Sequence, residues 1–292
     1  MRVINLEKNI KLFADCHCEL SESPMWNKKE NLLYWRGFHG ELYRKKINND
    51  VNDFECFQLN IGNIGSMVFT DSDYMLLFAD GSKIWKWKPY SEPVLYKDFK
   101  KTLFNDVIAD PQGRIYCGML AEHFFEPDKI GKYGSLWLLY NNDFICLEDK
   151  TGNTPNGIRF SPQLDKLYFG VTDHGCVYVY DYDKTTGKLS NKKVFASGCF
   201  PDGIAMDING NLWVTDCRQG RPLLCYNPQG EVIDKIYFPV YRIISVAFGG
   251  EDNSTMFVTT SGGNSPKGNY DGGVFMIENI ATGAEEFILK GM

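Results

Sequence analysis

The chain has 292 residues and a formal net charge of −6, and its 31 Lys and Arg residues are scattered among 37 Asp and Glu residues. This distribution excludes nucleic-acid binders that depend on a concentrated positive face. No stretch approaches the length of a transmembrane helix, and charges interrupt every apolar run near the N-terminus, so we expect a cytoplasmic protein with no membrane partner. The nine cysteines are irregularly spaced and predict free thiols rather than a disulfide framework.

Six segments share one pattern: a short apolar strand, a turn rich in Asp, Asn, Gly, Pro or Lys, and a second strand of alternating aromatic and aliphatic residues. Such turns between alternating runs predict β-hairpins. The repeats recur roughly every 40 to 50 residues, which is the length of a four-stranded propeller blade. In chain order they begin at Glu22, Gly65, Asn105, Asn156, Asp202 and Ile244.

Further strand-like runs follow each hairpin, such as GELYRKKI after the first and GCVYVYDY after the fourth. The pattern predicts an all-β, six-bladed β-propeller with four-stranded blades, folded as a single domain over residues 1–292. A TIM barrel would need eight strand–helix units, and a β-sandwich has no reason to repeat six times. The leftover strand around residues 3–13 is expected to close the ring by pairing with the last blade, near residues 274–277 or 287–289.

Oxygen-bearing side chains begin four of the six repeats: Glu22, Asn105, Asn156 and Asp202. If the repeats are in register, these residues start the innermost strand of each blade and point at one mouth of the central channel. Carboxylate and amide oxygens suit a hard divalent cation, and they are too few for a full Ca²⁺ shell, so water or substrate must complete it. Any one of them could instead be a turn former bonded to its own backbone. Four in a ring favour a metal site.

Other motifs carry less chemistry. Cys16, His17 and Cys18 are closely spaced, but no second Cys/His pair has zinc-site spacing, so we interpret them as strand packing. There is no GxSxG or HExxH motif. The Gly-rich segment near residue 262 lacks the GK[ST] of a phosphate loop and is interpreted as a loop.

Several longer stretches together resemble the family of gluconolactonase, regucalcin (senescence marker protein) and luciferin-regenerating enzyme. They are SESPMW, FNDVIADPQGRIYCGMLAE, TPNGIRFSP, PDGIAMDINGNLWVT and VAFGGEDNSTMFVT, and they cover nearly the whole chain. The resemblance implies a six-bladed propeller with one divalent cation near its axis and an enzyme that opens sugar lactones. It places the family's metal-binding Glu, Asn and Asp on Glu22, Asn156 and Asp202, and an Asn near both metal and substrate on Asn105.

Two positions depart from the family's pattern. Leu103 stands where the family often has an Arg that contacts the substrate, and His123 stands where it has an acidic residue. The family's WVD stretch reads Trp35, Arg36 and Gly37 in this chain. The substrate is therefore expected to differ from gluconolactone, with Arg36, His123 or Arg221 as possible contacts.

The predicted reaction is the opening of a lactone to a hydroxy acid. The metal would polarise the carbonyl, Asp202 would act as general base, and Asn105 would orient the substrate or a metal-bound water. Ca²⁺ is the expected ion, with Zn²⁺, Mn²⁺ and Mg²⁺ as alternatives. The expected partner is a small-molecule lactone, and the protein is expected to be a monomer or a weak homo-oligomer. Two readings stay open: hydrolysis of phosphotriesters or other esters at the same site, and a non-enzymatic, divalent-cation-binding or protein-interaction propeller.

Overall fold

A computed structural model describes residues 2–3, 10–99, 103–126, 128, 133–263 and 270–290. Its strands form six antiparallel sheets, and in most of them neighbouring strands follow one another along the chain. The predicted all-β, six-bladed β-propeller with four-stranded blades is therefore confirmed. In the part of the chain described, no helix is long and apolar enough to span a bilayer.

One compact unit comprises Met1–Gln58 and Cys199–Glu285 and holds three blades, which are numbered here by their order along the chain. Blade 1 consists of β3 (Glu22–Asn27), β4 (Leu32–Arg36), β5 (Glu41–Lys46) and β6 (Glu55–Gln58). Blade 5 consists of β19 (Pro201–Met206), β20 (Leu212–Asp216), β21 (Leu223–Tyr226) and β22 (Val232–Ile236), with β1 (Arg2–Val3) parallel to β22. Blade 6 consists of β23 (Ile243–Gly249), β24 (Thr255–Thr260), β25 (Val274–Ile277) and β2 (Ile10–Ala14).

The second unit comprises Leu59–Gly198 and Glu286–Met292 and holds the other three blades. Blade 2 consists of β7 (Ile64–Phe69), β8 (Met75–Ala79), β9 (Lys83–Trp87) and β10 (Val94–Asp98). Blade 3 consists of β11 (Phe104–Ala109), β12 (Ile115–Met119), β13 (Gly134–Tyr140) and β14 (Asp143–Gly152). Blade 4 consists of β15 (Pro155–Phe160), β16 (Lys166–Val171), β17 (Cys176–Tyr182) and β18 (Leu189–Ser197). That the whole chain folds as one domain stays a prediction.

The N-terminal strand β2 completes blade 6 and closes the ring, as predicted. It pairs antiparallel with β25, and the Nζ atom of Lys11 lies 2.5 Å from the Oε2 atom of Glu278 across that joint. The alternative partner at residues 287–289 is wrong, because Leu289 instead forms a bridge with Thr70 of blade 2. The joint thus removes the open edge that β25 would otherwise present.

The first strands are the packed interior of each unit. In one unit β23 contacts both β19 and β3, and in the other β11 contacts both β7 and β15. The second strands β4, β8, β12 and β20 are buried throughout, whereas the fourth strands β6 and β10 are largely exposed. Burial on both faces explains why the second strands read as nearly continuous apolar runs such as LLYW and MLLFA.

Buried aspartates form the hairpin turns between first and second strands in blades 3 and 5. Asp110 accepts hydrogen bonds from the backbone amides two and four residues later, and Asp207 does the same. A side chain that bonds the backbone in this way stabilises a turn before any tertiary contact forms. The sequences DPQG and DING therefore fix where the second strand of each blade begins.

Candidate metal and substrate site

Every blade has an irregularity near the start of its first strand, where the sequence repeats begin. At that point the antiparallel register between the first and second strands shifts, as at a β-bulge. A bulge bends its strand and redirects the side chains within it, and bulges are common beside active sites. The shifts fall in the intervals 22–25, 64–66, 104–107, 155–158, 201–204 and 243–245.

The registers also define which residues are equivalent. Asn105, Asn156 and Asp202 each lie two residues before regular pairing resumes. In blade 1 pairing resumes three residues after Glu22, so Ser23 takes the matching place and Glu22 lies one residue earlier. The predicted equivalence of Glu22 with the other three residues is therefore wrong by one position. Ser23 has a φ of 48°, in the left-handed region, so the backbone of blade 1 turns differently here.

Asn105 and Asn156 are brought together at the start of β11 and β15. The Nδ2 atom of Asn105 donates to the Oδ1 atom of Asn156 at 3.0 Å and to the carbonyl oxygen of Pro155 at 2.7 Å. Asn156 is buried, and its own Nδ2 atom donates to Thr172 Oγ1 at 2.9 Å. These bonds fix both amide planes. No partner of the Asn105 Oδ1 atom occurs within the described ranges.

Glu22 is paired with a buried arginine. Its Cα partner across the hairpin is Arg36, the last residue of β4. The Nη2 atom of Arg36 forms a salt bridge with the Oε2 atom of Glu22, and the two side chains are 4% and 16% exposed. Because water reaches both groups poorly, each depends on an opposite charge nearby. In this arrangement Arg36 supplies the positive charge that balances the Glu22 carboxylate.

Asp202 lies partly buried in the bulge of β19. The next residue is Gly203, where a Cβ atom would lie 2.1 Å from the Oγ atom of Ser245 in the neighbouring first strand. The PDG sequence therefore allows two first strands to approach closely beside the carboxylate. Burial raises the pKa of the Cys217 thiol, and the nearby Asp202 charge raises it further.

A charged cluster adjoins Asp202 at the same end of blade 5. Asp216, which is 2% exposed and pairs with the residue before Asp202, accepts hydrogen bonds from the Nε and Nη2 atoms of Arg218. The Arg218 guanidinium also lies 4.7 Å from the centroid of the Phe200 ring. Arg221 Nε lies 3.7 Å from Asp216 Oδ2 and its side chain is half exposed. Both arginines therefore share one buried carboxylate.

Leu103 and His123 lie in the connections around blade 3. The carbonyl oxygen of Leu103 accepts a hydrogen bond from the backbone of Leu120 at 2.9 Å. His123 lies in a turn with a φ of 58°, and its Nδ1 atom is 2.9 Å from the Oε1 atom of Glu126. The His123 side chain is 46% exposed. A role for either residue in substrate binding stays a prediction.

The chemistry of the predicted donors suits a hard divalent cation. Glu22 and Asp202 offer carboxylates, and Asn105 and Asn156 offer amide oxygens, which are the ligand types that Ca²⁺ and Mg²⁺ prefer. The Asn156 oxygen accepts one hydrogen bond and retains a second lone pair. Among the described residues, no three His, Cys, Asp or Glu side chains gather where they could hold a metal. Two of the four predicted donors are asparagines, so they do not form a cluster of that type.

Sequence reasoning did not identify the partners of these residues. The Glu22–Arg36 pair had a detectable signal, because opposite charges stand at the two open ends of one predicted hairpin. The partner of Asn156 lies in a similar place, because Thr172 directly follows the second strand of blade 4. Residues at the ends of second strands therefore hold the donor side chains at the starts of first strands.

The comparisons with known proteins agree with this architecture. The model of the SMP-30/Gluconolactonase/LRE-like region matches residues 20–262. A pentonolactonase from Haloferax volcanii is 29% identical over 294 residues, covering 94% of this chain and 96% of the relative.

Two solved structures share the fold. A luciferin-regenerating enzyme superposes with a TM-score of 0.84 at 22% identity, covering 97% of this chain and 99% of its own. A regucalcin from Agrobacterium tumefaciens, described as a calcium-binding protein, superposes with a TM-score of 0.83 at 18% identity, covering 96% of each chain.

Proposed function

The chain belongs to the SMP-30/Gluconolactonase/LRE-like family, and from that premise we propose that it is a metal-dependent hydrolase that opens a sugar lactone or related cyclic ester to a hydroxy acid. The observation that carries the proposal is the recurrence of oxygen donors at the bulged start of first strands, at Asn105, Asn156 and Asp202, with Glu22 one residue ahead. The pentonolactonase from Haloferax volcanii, similar over nearly its whole length, supports the substrate class.

Glu22, Asn156 and Asp202 would hold one divalent cation. First strands surround the axis in a propeller, which supports a shared ion. The regucalcin described as calcium-binding supports Ca²⁺, and Zn²⁺, Mn²⁺ and Mg²⁺ share the preference for oxygen or mixed donors. When bound, the cation would supply Lewis-acid polarisation of the lactone carbonyl.

Asp202 would act as the general base. Its carboxylate would accept a proton from the attacking water while that water approaches the carbonyl carbon. Partial burial of Asp202 beside Gly203 and Cys217 restricts how the side chain can turn. A fixed carboxylate contributes to the rate because the water is held in the geometry of attack.

Asn105 would orient the substrate. Its Nδ2 atom is engaged by Pro155 and Asn156, so its Oδ1 atom is the group that can accept a hydrogen bond from a sugar hydroxyl. Leu103 brings an apolar side chain where the family has an Arg, and His123 replaces an acid. These two changes support a substrate other than gluconolactone, and the pentonolactonase relative makes five-carbon lactones the first class to test.

The deciding experiment uses metal-stripped protein and a panel of pentono-, hexono- and uronolactones. Each is offered with Ca²⁺, Mn²⁺, Zn²⁺ or Mg²⁺ in turn, and acid release is followed with a pH indicator. We expect metal-dependent opening of one class, reduced at least about 100-fold in Asp202→Asn. Asp252→Asn, in an exposed turn of blade 6, is the matched control and should retain activity.

Two outcomes would overturn parts of the proposal. Full turnover by Asp202→Asn with metal bound would exclude Asp202 as the base. If no lactone opens but a metal still raises the melting temperature, the cation site stands without lactonase activity. Phosphotriesters and a cation-binding role would then be tested with the same variants. The cytoplasmic location and the monomeric or weakly oligomeric state stay predictions.

A further inference from the structure

The segment Cys16-His17-Cys18 lies in the connection between β2 and β3 rather than within a strand, and Cys18 packs in a buried cluster with residues of the strands around it. Three donors from this connection converge on one backbone oxygen, that of Gly272. Cys16 Sγ donates to it at 3.2 Å, the Cys18 amide at 3.1 Å and the Ser21 hydroxyl at 3.1 Å. The connection is therefore folded around a single carbonyl.

The backbone turns between the two cysteines, which shortens the distance between their Cα atoms. A fully extended chain would separate Cα atoms two residues apart by roughly 7 Å, at the upper limit of the usual disulfide range of about 4.4–6.8 Å. His17 has a φ of 47°, so the chain turns there and shortens that span. Each thiol also shifts the pKa of the other, so the two groups lie close enough to interact.

Neighbouring glycines hold this connection in place. A Cβ atom at Gly272 would lie 2.1 Å from the carbonyl oxygen of Cys18, and one at Gly262 would lie 2.4 Å from the same atom. The amide of Gly262 donates to that oxygen at 3.1 Å. The segment is therefore fitted between backbone atoms of blade 6 rather than lying loosely on the surface.

The environment also favours a thiolate at Cys18. The neighbouring Cys16 thiol lowers the pKa of Cys18 to about 7, and burial opposes this effect. Ser21 and Tyr43 lower the pKa further, whereas the charge of Glu41 raises it slightly. The same pairing with Cys18, together with burial, raises the pKa of Cys16. At neutral pH a large share of Cys18 is therefore the reactive thiolate, whereas Cys16 stays protonated.

Other cysteines lie in different environments. Burial raises the thiol pKa of Cys117, Cys217 and Cys225, and it raises that of Cys56 as well. These residues are therefore poor nucleophiles at neutral pH. Cys16 is partly exposed and Cys18 is 7% exposed, so only a small reagent can reach the pair.

We propose that Cys16 and Cys18 are a redox modification site, which a hydroperoxide converts to an intramolecular disulfide. The Cys18 thiolate attacks the peroxide, the O–O bond breaks, and Cys18 becomes a sulfenic acid while the departing alkoxide or hydroxide takes a proton from solvent and leaves as an alcohol or water. The Cys16 sulfur then attacks the Cys18 sulfur, the S–S bond forms, and water leaves with the Cys16 proton. Two thiols and one hydroperoxide give one disulfide, one alcohol or water, and one water. A thiol reductant reverses the change.

The test uses the full-length protein and dilute hydrogen peroxide at neutral pH. Trypsin cleavage after Lys11 and Lys28 releases both cysteines in one peptide. We expect this peptide to lose two hydrogens and to resist iodoacetamide until dithiothreitol is added. Cys225→Ser is the matched control and should react like the parent protein.

The single-cysteine variants separate the steps. Cys16→Ser should stop at a Cys18 sulfenic acid that dimedone traps, and Cys18→Ser should leave Cys16 reduced. The proposal is overturned if Cys18 proceeds to sulfinic acid in the parent protein while Cys16 stays free. It is also overturned if the peptide remains unmodified when the exposed Cys56 has already reacted. Because Cys16→Ser gives its own readout, the test does not depend on Cys18→Ser folding.

Discussion

Substituting Arg36 by Met should separate the structural role of the Glu22–Arg36 pair from the proposed role of Glu22 in metal binding. Removing one partner of a buried ion pair typically costs about 3 to 5 kcal/mol. Glu22 is 16% exposed, so water relieves part of the penalty and we expect the lower end, about 3 kcal/mol. At roughly 2 °C per kcal/mol for a chain of this size, the metal-free variant should melt about 6 °C lower.

A divalent cation should reverse this loss. In the parent protein the ion competes with Arg36 for the Glu22 carboxylate, whereas in Arg36→Met the carboxylate is left without that competitor. We expect Ca²⁺ to bind the variant at least about 10-fold more tightly, which corresponds to roughly 1.4 kcal/mol and is less than half of the pairing energy that was removed. Calorimetric titration of metal-stripped protein measures the affinity, and a melting series with Ca²⁺ measures the recovery.

Arg44→Met supplies the control from the same blade. Arg44 is also buried, and it binds the Glu55 carboxylate at 3.0 and 3.1 Å and the Tyr34 hydroxyl at 3.1 Å. Its loss should lower the melting temperature without changing Ca²⁺ affinity, because Glu55 lies in the outer strand β6. If both variants bind Ca²⁺ as the parent does, Glu22 is not a ligand that competes with Arg36.

Three further predictions test packing and reactivity. Gly65→Ala places a Cβ atom 2.2 Å from a backbone oxygen of the neighbouring blade, so urea unfolding should show a loss of about 2 kcal/mol; an unchanged midpoint would refute the close approach. Arg114→Ala removes the ionic partner of the fully buried Asp110 and should cost about 3 to 5 kcal/mol. Arg114→Lys should not restore this stability, because an ammonium lacks the guanidinium's donors. Alkylation of Cys18 should rise with pH around a midpoint of about 7, since only the thiolate reacts; a midpoint at the ordinary thiol value would contradict the influence of Cys16 on Cys18.

The blades could be predicted from the sequence because their hairpins are local. Asp110 and Asp207 bond backbone amides within four residues, so the turn and the two strands beside it are encoded in one short stretch. The closing strand was also predictable, because an unmatched apolar run at one end must pair with the incomplete blade at the other. Both inferences need only the period of the repeat and the alternation within it.

The details of the site could not be predicted in the same way. The sequence repeats align Glu22 with Asp202. Cross-strand pairing instead places Glu22 opposite Arg36, and Asp202 takes the position one residue further along its strand. A bulge is a property of two strands together, so a single strand's sequence does not locate it. The partner of His123 is local, Glu126 in its own turn, but an argument from family positions considers one residue at a time and does not include its neighbours.

The joint between β2 and β25 has a consequence for how the protein is made. Lys11 and Glu278, which meet at that joint, are 267 residues apart in the chain. A ribosome adding about 5 to 20 residues per second would synthesise β2 roughly 15 to 50 seconds before its partner strand emerges. During that interval β2 is an unpaired strand that the β25 of a neighbouring nascent chain can capture. Closely spaced nascent chains therefore favour strand exchange between copies, whereas rapid completion of an isolated chain favours pairing of β2 with its own β25.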